Sequence, residues 1–241
     1  MFGKKLVISV AAAAVMLVGS QAATIVSAKA KRTATFKVKI ENIGSPDGLP
    51  TADGMKYPFA LSPGLFIVNH KKQYFFDEGK KADMALELQA EDGNPENLLK
   101  KLLTKVGSIH MGVFNTPAGA EKPGPLLPGG TYEFSFTGTE GMKFNLIAMY
   151  GQSNDLFYAP RVAIDLFDKD GNPLAGDITD KLLLWDAGTE INQTPGIGDE
   201  QAPRQKMANT GKAENGVVTL VKDGFTYPNT KDVLRVTITT Q

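Results

Sequence analysis

Alternation of apolar and polar residues constrains this chain more than any other feature of its sequence. In the range Thr33–Asn42 the even-numbered positions from Ala34 to Ile40 are apolar, and the odd-numbered positions between them are polar. The ranges Thr131–Thr137 and Val233–Thr239 alternate in the same way. A period of two residues is typical of a strand with one buried and one solvated face, so the pattern predicts antiparallel strands.

Other segments are apolar without alternating, which favours strands that are buried more completely. The segment Leu61–Val68 contains Pro63-Gly64, so it is interpreted as a strand that either bends or lies at a sheet edge. The remaining apolar segments predicted as strands are Phe144–Tyr150, Val162–Phe167 and Leu182–Trp185.

Helical spacing occurs in one part of the chain only. Lys81–Glu91 carries Ala and Leu at helical intervals and stops at Gly93. A second helix is predicted from Asn94 as N-cap and Pro95 at the first position, and it closes at Gly107. Many strands with two short helices in one insertion predict an all-β fold, an antiparallel β-sandwich.

Residues 1–30 are typical of a secretory signal peptide. Lys4 and Lys5 precede an apolar run from Leu6 to Val18 that is too short to span a membrane. Small residues permit cleavage after Ala22 or after Ala30, and the sequence does not decide between them. We therefore expect a secreted or periplasmic protein, with residues 31–241 as its domain and no transmembrane segment after processing.

Composition excludes several kinds of protein. The 241 residues contain no cysteine, so a secreted domain of this sequence must be stabilised by its core or by bound ions. Basic and acidic residues balance at 26 each, without the basic excess that a nucleic-acid partner requires. The sequence also contains no nucleophile elbow, phosphate loop or dinucleotide fingerprint.

Two acidic loops each follow an apolar strand. Asp155 lies in Gln152–Pro160, which is predicted as the loop after Phe144–Tyr150. Asp186 and Glu190 lie in the loop after Leu182–Trp185. Carboxylate oxygens are the ligands that Ca²⁺ prefers, so the loops favour a calcium site. The local pattern equally fits a core tryptophan followed by an ordinary turn in which Asp186 caps backbone amides.

The loops resemble a known family. Ser153-Asn154-Asp155 and the run from Trp185 to Glu190, Trp-Asp-Ala-Gly-Thr-Glu, are similar to the spondin domain of F-spondin and mindin. The resemblance extends over about Thr35–Thr239 and implies a C2-like or jelly-roll-like sandwich that binds Ca²⁺ at one end. Asp155 and Asp186 match the family's acidic positions, and Glu190 stands where a carboxylate also occurs in relatives.

The resemblance implies a non-catalytic module for recognition or adhesion, whose partner is an extracellular or cell-surface protein or glycan. Two other functions remain open: a structural protein of the cell envelope, and a glycan hydrolase that uses Asp155 and Asp186 as an acid–base pair. The acids of both loops also fit a purely structural role, in which they cap turns and pair with Arg161 or Arg204.

Two further charged segments have alternative interpretations. Asp168–Pro173 is faintly similar to a calcium loop but lacks the later ligands of an EF-hand, so we interpret it as a hairpin turn. Lys100, Lys101 and Lys105 on the second predicted helix form either a solvated face or a contact for an acidic surface.

Overall fold

The computed structural model describes residues 30–51, 53–71, 75–106 and 110–241. The predicted signal peptide, residues 1–30, lies outside these ranges except for Ala30. Residues 31–241 form one compact unit. None of the helices in the described ranges has both the length and the apolar character needed to cross a membrane.

The described ranges contain short helices and many strands. The strands are β1 (Thr33–Asn42), β2 (Leu49–Pro50), β3 (Lys56–Tyr57), β4 (Leu61–Asn69), β5 (His110–Phe114), β6 (Thr131–Thr139), β7 (Lys143–Tyr150), β8 (Leu156–Pro160), β9 (Ile164–Asp165), β10 (Gly176–Asp177), β11 (Leu182–Asp186), β12 (Thr219–Leu220) and β13 (Leu234–Thr240). The α-helices are α1 (Met84–Glu91), α2 (Glu96–Val106) and α3 (Thr230–Val233), and a 3₁₀-helix spans Thr179–Lys181.

Two antiparallel sheets form the sandwich that the sequence predicts. Within the described ranges, the smaller sheet has the strand order β10-β13-β1-β6. The larger sheet has the order β12-β11-β8-β7-β4-β5, and β9 adds to it by pairing with β7. A separate small ribbon pairs β2 with β3. The predicted all-β, antiparallel fold is thus confirmed.

The main core lies between the two sheets. Phe36, Val38 and Ile40 of β1 are fully buried in it, and the residues between them are partly exposed, as the alternation predicts. Aromatic rings pack across the core, for example Phe66 on Phe134 with ring centroids 4.4 Å apart. The one-sided burial of β1 therefore follows directly from its sequence period.

A second core lies on the outer face of the larger sheet, beneath α1 and α2. Leu86 of α1 and Leu98 of α2 are buried there together with Phe157 and Trp185 of the sheet. Because helices cover this face and the smaller sheet covers the other, the central strands are buried on both sides. Double burial explains why the segment Phe144–Tyr150 is apolar without alternating.

The structure corrects the sequence interpretation of the central strands. The loop predicted at Gln152–Pro160 ends at Asp155, because Leu156–Pro160 is the fully buried strand β8. In the range Val162–Phe167 only Ile164–Asp165 forms a strand. Strand β4 lies between β7 and β5 and has a register shift between Leu61 and Gly64, so the bend is confirmed and the edge position is wrong.

Both predicted helices are present. α1 begins at Met84 rather than Lys81, because Asp83 is its N-cap and accepts hydrogen bonds from the backbone N–H groups of Ala85 and Leu86. Asn94 caps α2 as predicted, since its side-chain oxygen accepts the N–H of Glu96 at 3.0 Å.

Candidate metal centre

Two acidic residues meet where β8 begins and β11 ends. The strands are antiparallel, and Asp186, the last residue of β11, pairs with Leu156, the first residue of β8. Asp155 directly precedes Leu156, and its carbonyl accepts the N–H of Ala187 at 3.2 Å. Antiparallel pairing therefore brings together two carboxylates that lie 31 residues apart in the chain.

A third carboxylate completes the group. One ligand oxygen each from Asp155, Asp186 and Glu214 lies within 4.8 Å of the other two. Asp155 is 0% exposed and Asp186 is 7% exposed, whereas Glu214 is exposed to solvent. This cluster, called the carboxylate triad below, has the spacing and the donor atoms to hold a metal ion.

Among the described residues, only one of the two carboxylate oxygens of Asp155 has hydrogen-bond partners. Its Oδ2 accepts hydrogen bonds from Thr189 N at 2.7 Å, Thr189 Oγ1 at 3.0 Å and Glu190 N at 3.1 Å. Its Oδ1 is buried and has no hydrogen-bond partner among the described residues. A buried carboxylate oxygen without a partner is costly, and a bound cation would satisfy it.

Asp186 is held by its own loop. Its Oδ1 accepts the N–H of Gly188 at 2.7 Å, and its Oδ2 accepts Asn192 Nδ2 at 2.7 Å. Gly188 has a positive φ of 69°, and a Cβ added there would lie 2.6 Å from the backbone nitrogen of Val217. The turn therefore requires glycine at this position. The bond from the N–H of Gly188 agrees with the interpretation in which Asp186 caps a backbone amide.

The electrostatics of the triad favour a bound positive charge. Burial raises the pKa of Asp155, and the negative charge of Asp186 raises it further. Burial also raises the pKa of Asp186, and the charges of Glu214 and Asp223 act in the same direction. Carboxylates that repel one another in a poorly solvated site are stabilised when a proton or a cation lies between them.

Glu214 reaches the triad through an irregular backbone ladder. The N–H of Glu214 donates to the carbonyl of Thr189 at 2.9 Å, and the N–H of Gly216 donates to the carbonyl of Gly188 at 2.7 Å. This pairing returns the chain to the loop after β11. Glu214 is not among the ligands predicted from the sequence, because it ends a long polar segment without periodicity and no local signal marks it.

Glu190 lies near the triad but is not a member of it. Its side chain is 3% exposed, and its carboxylate accepts hydrogen bonds from Gly211 N at 2.8 Å and Asn154 Nδ2 at 3.3 Å. Asn154 also accepts the N–H of Gln193 at 3.0 Å through its side-chain oxygen. The structure thus brings Asp155 and Asp186 together. Glu190 instead stabilises the neighbouring loop through its hydrogen bonds to Gly211 and Asn154.

The two arginines proposed as alternative partners have other contacts. Arg161 pairs with Glu78 at 2.9 Å and lies over the ring of Trp185. Arg204 donates to Gln152 Oε1 at 2.9 Å and to the carbonyl of Gly198 at 2.7 Å. None of these contacts is with a carboxylate of the triad.

Trp185 fixes the strand that carries Asp186. Its ring is 0% exposed, and its Nε1–H donates to the carbonyl of Ala159 on β8 at 2.9 Å. The ring of Phe76 packs against it with centroids 4.8 Å apart. The sequence-based interpretation of a core ring beside an acidic loop is therefore confirmed.

No protein-family model and no curated protein matches the chain. The resemblance to the spondin domain accordingly stays a prediction from the sequence. The coarser conclusion, that three carboxylates at one end of the larger sheet can hold a metal ion, depends on the geometry alone.

Proposed function

We propose that this protein is a secreted or periplasmic, non-catalytic recognition module of the spondin type, and that the carboxylate triad binds Ca²⁺. The single observation that carries the proposal is the buried Asp155, which has two further carboxylates within ligand spacing and one oxygen that accepts no hydrogen bond from the described part of the chain. The partner would be an extracellular or cell-surface protein or glycan.

The chemistry of the donors favours calcium. The triad offers only carboxylate oxygens, which suit hard cations, and it has no imidazole or thiolate to select zinc or copper. Ca²⁺ accepts six to eight oxygens in flexible geometries, which fits ligands contributed by loops. Asp155, Asp186 and Glu214 would hold the ion, and the ion would supply the positive charge that the buried oxygens need.

A bound ion would also join three separate segments: the β7–β8 loop, the end of β11, and the ladder that carries Glu214. The protein has no disulfide to connect them, because it contains no cysteine. Calcium would therefore order the loops at this end of the sandwich, and ordered loops on a rigid scaffold are where recognition surfaces commonly lie.

The burial of Asp155 argues against the alternative of a glycan hydrolase. Both carboxylates of such an enzyme must flank the glycosidic bond in an open cleft. Asp155 is 0% exposed, and its Oδ2 already accepts three hydrogen bonds from the loop that covers it. A role as a metal ligand makes better use of a fixed, inaccessible carboxylate.

The proposal is tested by calcium titration of the chelator-treated mature protein. A ligand that binds only the folded state stabilises it by about 2.7 kcal/mol at a hundredfold excess over Kd, so millimolar calcium should raise the melting temperature. Asp186→Asn should weaken this response sharply. Asp170→Asn, in the turn at Asp168–Pro173, carries the same charge change and should leave the response intact.

A melting curve that calcium does not shift, or equal responses from the two variants, would show that the triad does not bind calcium. Magnesium serves as a second probe, because it requires a nearly ideal octahedral site and dehydrates reluctantly. A larger shift with magnesium than with calcium would reject the proposed ion.

Secretion has its own test. Mass spectrometry of protein from the periplasm or medium should find an N-terminus at Ala23 or Lys31. Retention of residues 1–5 in most of the protein would contradict a secreted module.

A further inference from the structure

A second charged region lies against the helices, with charge opposite to that of the triad. A cavity of about 300 Å³ opens between α1, α2 and the segment that follows β4. Among the described residues, five lysines and two aspartates line it, which leaves an excess of three positive charges. The lysines are Lys71, Lys80, Lys81, Lys101 and Lys105, and the aspartates are Asp77 and Asp83.

The excess is local, because the whole chain has as many acidic as basic residues. Asp83 already serves two other groups: it caps α1 through the N–H groups of Ala85 and Leu86, and it pairs with Lys101. Asp83 therefore does not balance Lys80, Lys81 and Lys105, which also line the cavity. Like charges held around one cavity repel, and an anion within it would relieve the repulsion.

The base of the cavity is apolar and fixed. Phe76, Leu86 and Leu102 line it, and each is at most 9% exposed because it belongs to the second core. Buried apolar side chains beside exposed lysines suit a ligand that has an apolar face and several anionic groups. A sugar ring bearing sulfate or carboxylate groups has both features.

The shape and the residue types favour a short acidic sugar over a membrane surface or a nucleic acid. A concave site of this volume lies at the lower limit of small-ligand pockets and accommodates a short saccharide rather than a flat membrane surface. No arginine lines it in the described part of the chain, whereas nucleic-acid sites rely on arginine for bidentate contacts and extend as a stripe.

We propose that this lysine-lined cavity binds an acidic oligosaccharide through the sulfate or carboxylate groups of the sugar. The site is separate from the carboxylate triad and does not depend on calcium. Lys101 and Lys105 belong to the lysine face that the sequence predicts on the second helix. The structure adds three lysines from the segment preceding α1 and the cavity that they share.

Calorimetric titration of the mature protein with a sulfated tetrasaccharide, and separately with an oligogalacturonate of equal length, tests the proposal. At least one of them should bind, and added salt should weaken the binding because exposed charges are screened. The sulfated tetrasaccharide is one whose sugars carry no carboxylate, so its desulfated form is uncharged and should not bind. Binding that salt does not weaken, or equal binding of the uncharged sugar, would overturn the proposal, as would no binding of either acidic sugar.

Matched variants locate the site. Lys80→Gln and Lys105→Gln, made separately, should each weaken binding of the acidic sugar roughly two- to threefold. Lys100→Gln is the control, because Lys100 is on the same helix but pairs with Glu96 outside this cavity. An equal loss in the control would place binding elsewhere. All these lysines are exposed, and an unchanged melting temperature would verify that the variants fold.

Discussion

Two loops of this protein that begin with aspartate look alike in sequence and differ in chemistry. Each aspartate follows an aromatic residue: Phe167-Asp168 opens the turn that ends at Pro173, and Trp185-Asp186 opens the loop of the carboxylate triad. The first is the one that superficially resembles a calcium loop. Only the second brings its carboxylate beside others from distant parts of the chain.

The difference lies in where the carboxylate oxygens find their partners. Asp168 Oδ1 accepts the N–H groups of Asp170 and Asn172, both at 2.8 Å, and Oδ2 accepts Asn172 Nδ2 at 2.9 Å. These bonds from Asn172 lower the pKa of Asp168, in full solvent. Asp155, by contrast, is buried and has a raised pKa, and one of its oxygens has no partner in the ranges that the structure describes. A carboxylate satisfied by its own turn needs no cation, whereas a buried, partly satisfied one does.

The largest expected effect comes from the two aromatic residues that precede the aspartates. Trp185→Ala should destabilise the protein by about 3–5 kcal/mol, because it empties a fully buried site and removes a hydrogen bond. It should also weaken the calcium response by loosening the strand that holds Asp186. Phe167→Ala, at a partly buried position, should lower the free energy of unfolding by less and leave the calcium response unchanged. Urea unfolding measures both variants, and equal losses would remove this distinction between the loops.

The second effect is a dependence of stability on pH. Glu91, at the end of α1, is 2% exposed, and burial raises its pKa from 4.5 to about 8, with the charge of Glu190 acting in the same direction. The folded protein retains this proton up to about pH 8, whereas the unfolded chain releases it near pH 4.5. Stability should therefore fall as pH rises, by about 2–3 kcal/mol between about pH 6 and about pH 8.5.

Unfolding of the calcium-free protein at about pH 6 and about pH 8.5 measures this dependence. Glu91→Gln should make it shallower, and Glu96→Gln, on the exposed face of α2, should not. The turn at Asp168–Pro173 responds in the opposite direction. Because the pKa of Asp168 is lowered, the stability that its carboxylate contributes is lost only when the pH falls below the ordinary range of an aspartate. If the free energy of unfolding depends on pH equally in the wild type and in Glu91→Gln, then Glu91 is not the group that keeps a proton in the folded state.

The third effect separates the ligands of the triad from their neighbours. Glu214→Gln should weaken calcium binding about tenfold, or 1.4 kcal/mol, because it removes one of three charged ligands. Glu190→Gln should weaken it less, since that carboxylate binds Gly211 and Asn154 instead. Calorimetric titration with calcium compares the two. The reverse order would favour the assignment of Glu190 made from the sequence.

The smallest effect is expected in the turn. Asp168→Ala removes hydrogen bonds that organise an exposed hairpin, so it should lower the melting temperature slightly. The calcium-induced shift should equal that of the wild type. A reduced shift would show that this turn, too, contributes to metal binding.

The sequence by itself determined the features that depend on local pattern. The alternation in Thr33–Asn42 predicts the strand β1 with its buried face, and Asn94-Pro95 predicts the start of α2. Trp185 is in the core, as its place in an apolar run indicates. Each of these depends on neighbours within about ten residues, so periodicity and capping chemistry are sufficient to find them.

Only the tertiary structure decided how the site is composed. Glu214 joins Asp155 and Asp186 through a backbone ladder between residues 188–191 and 212–216, which no period in the sequence indicates. The lysine-lined cavity likewise combines α2 with the segment before α1. Which oxygen is buried, and whether a donor reaches it, depends on how distant segments pack around it, and sequence spacing does not contain that information.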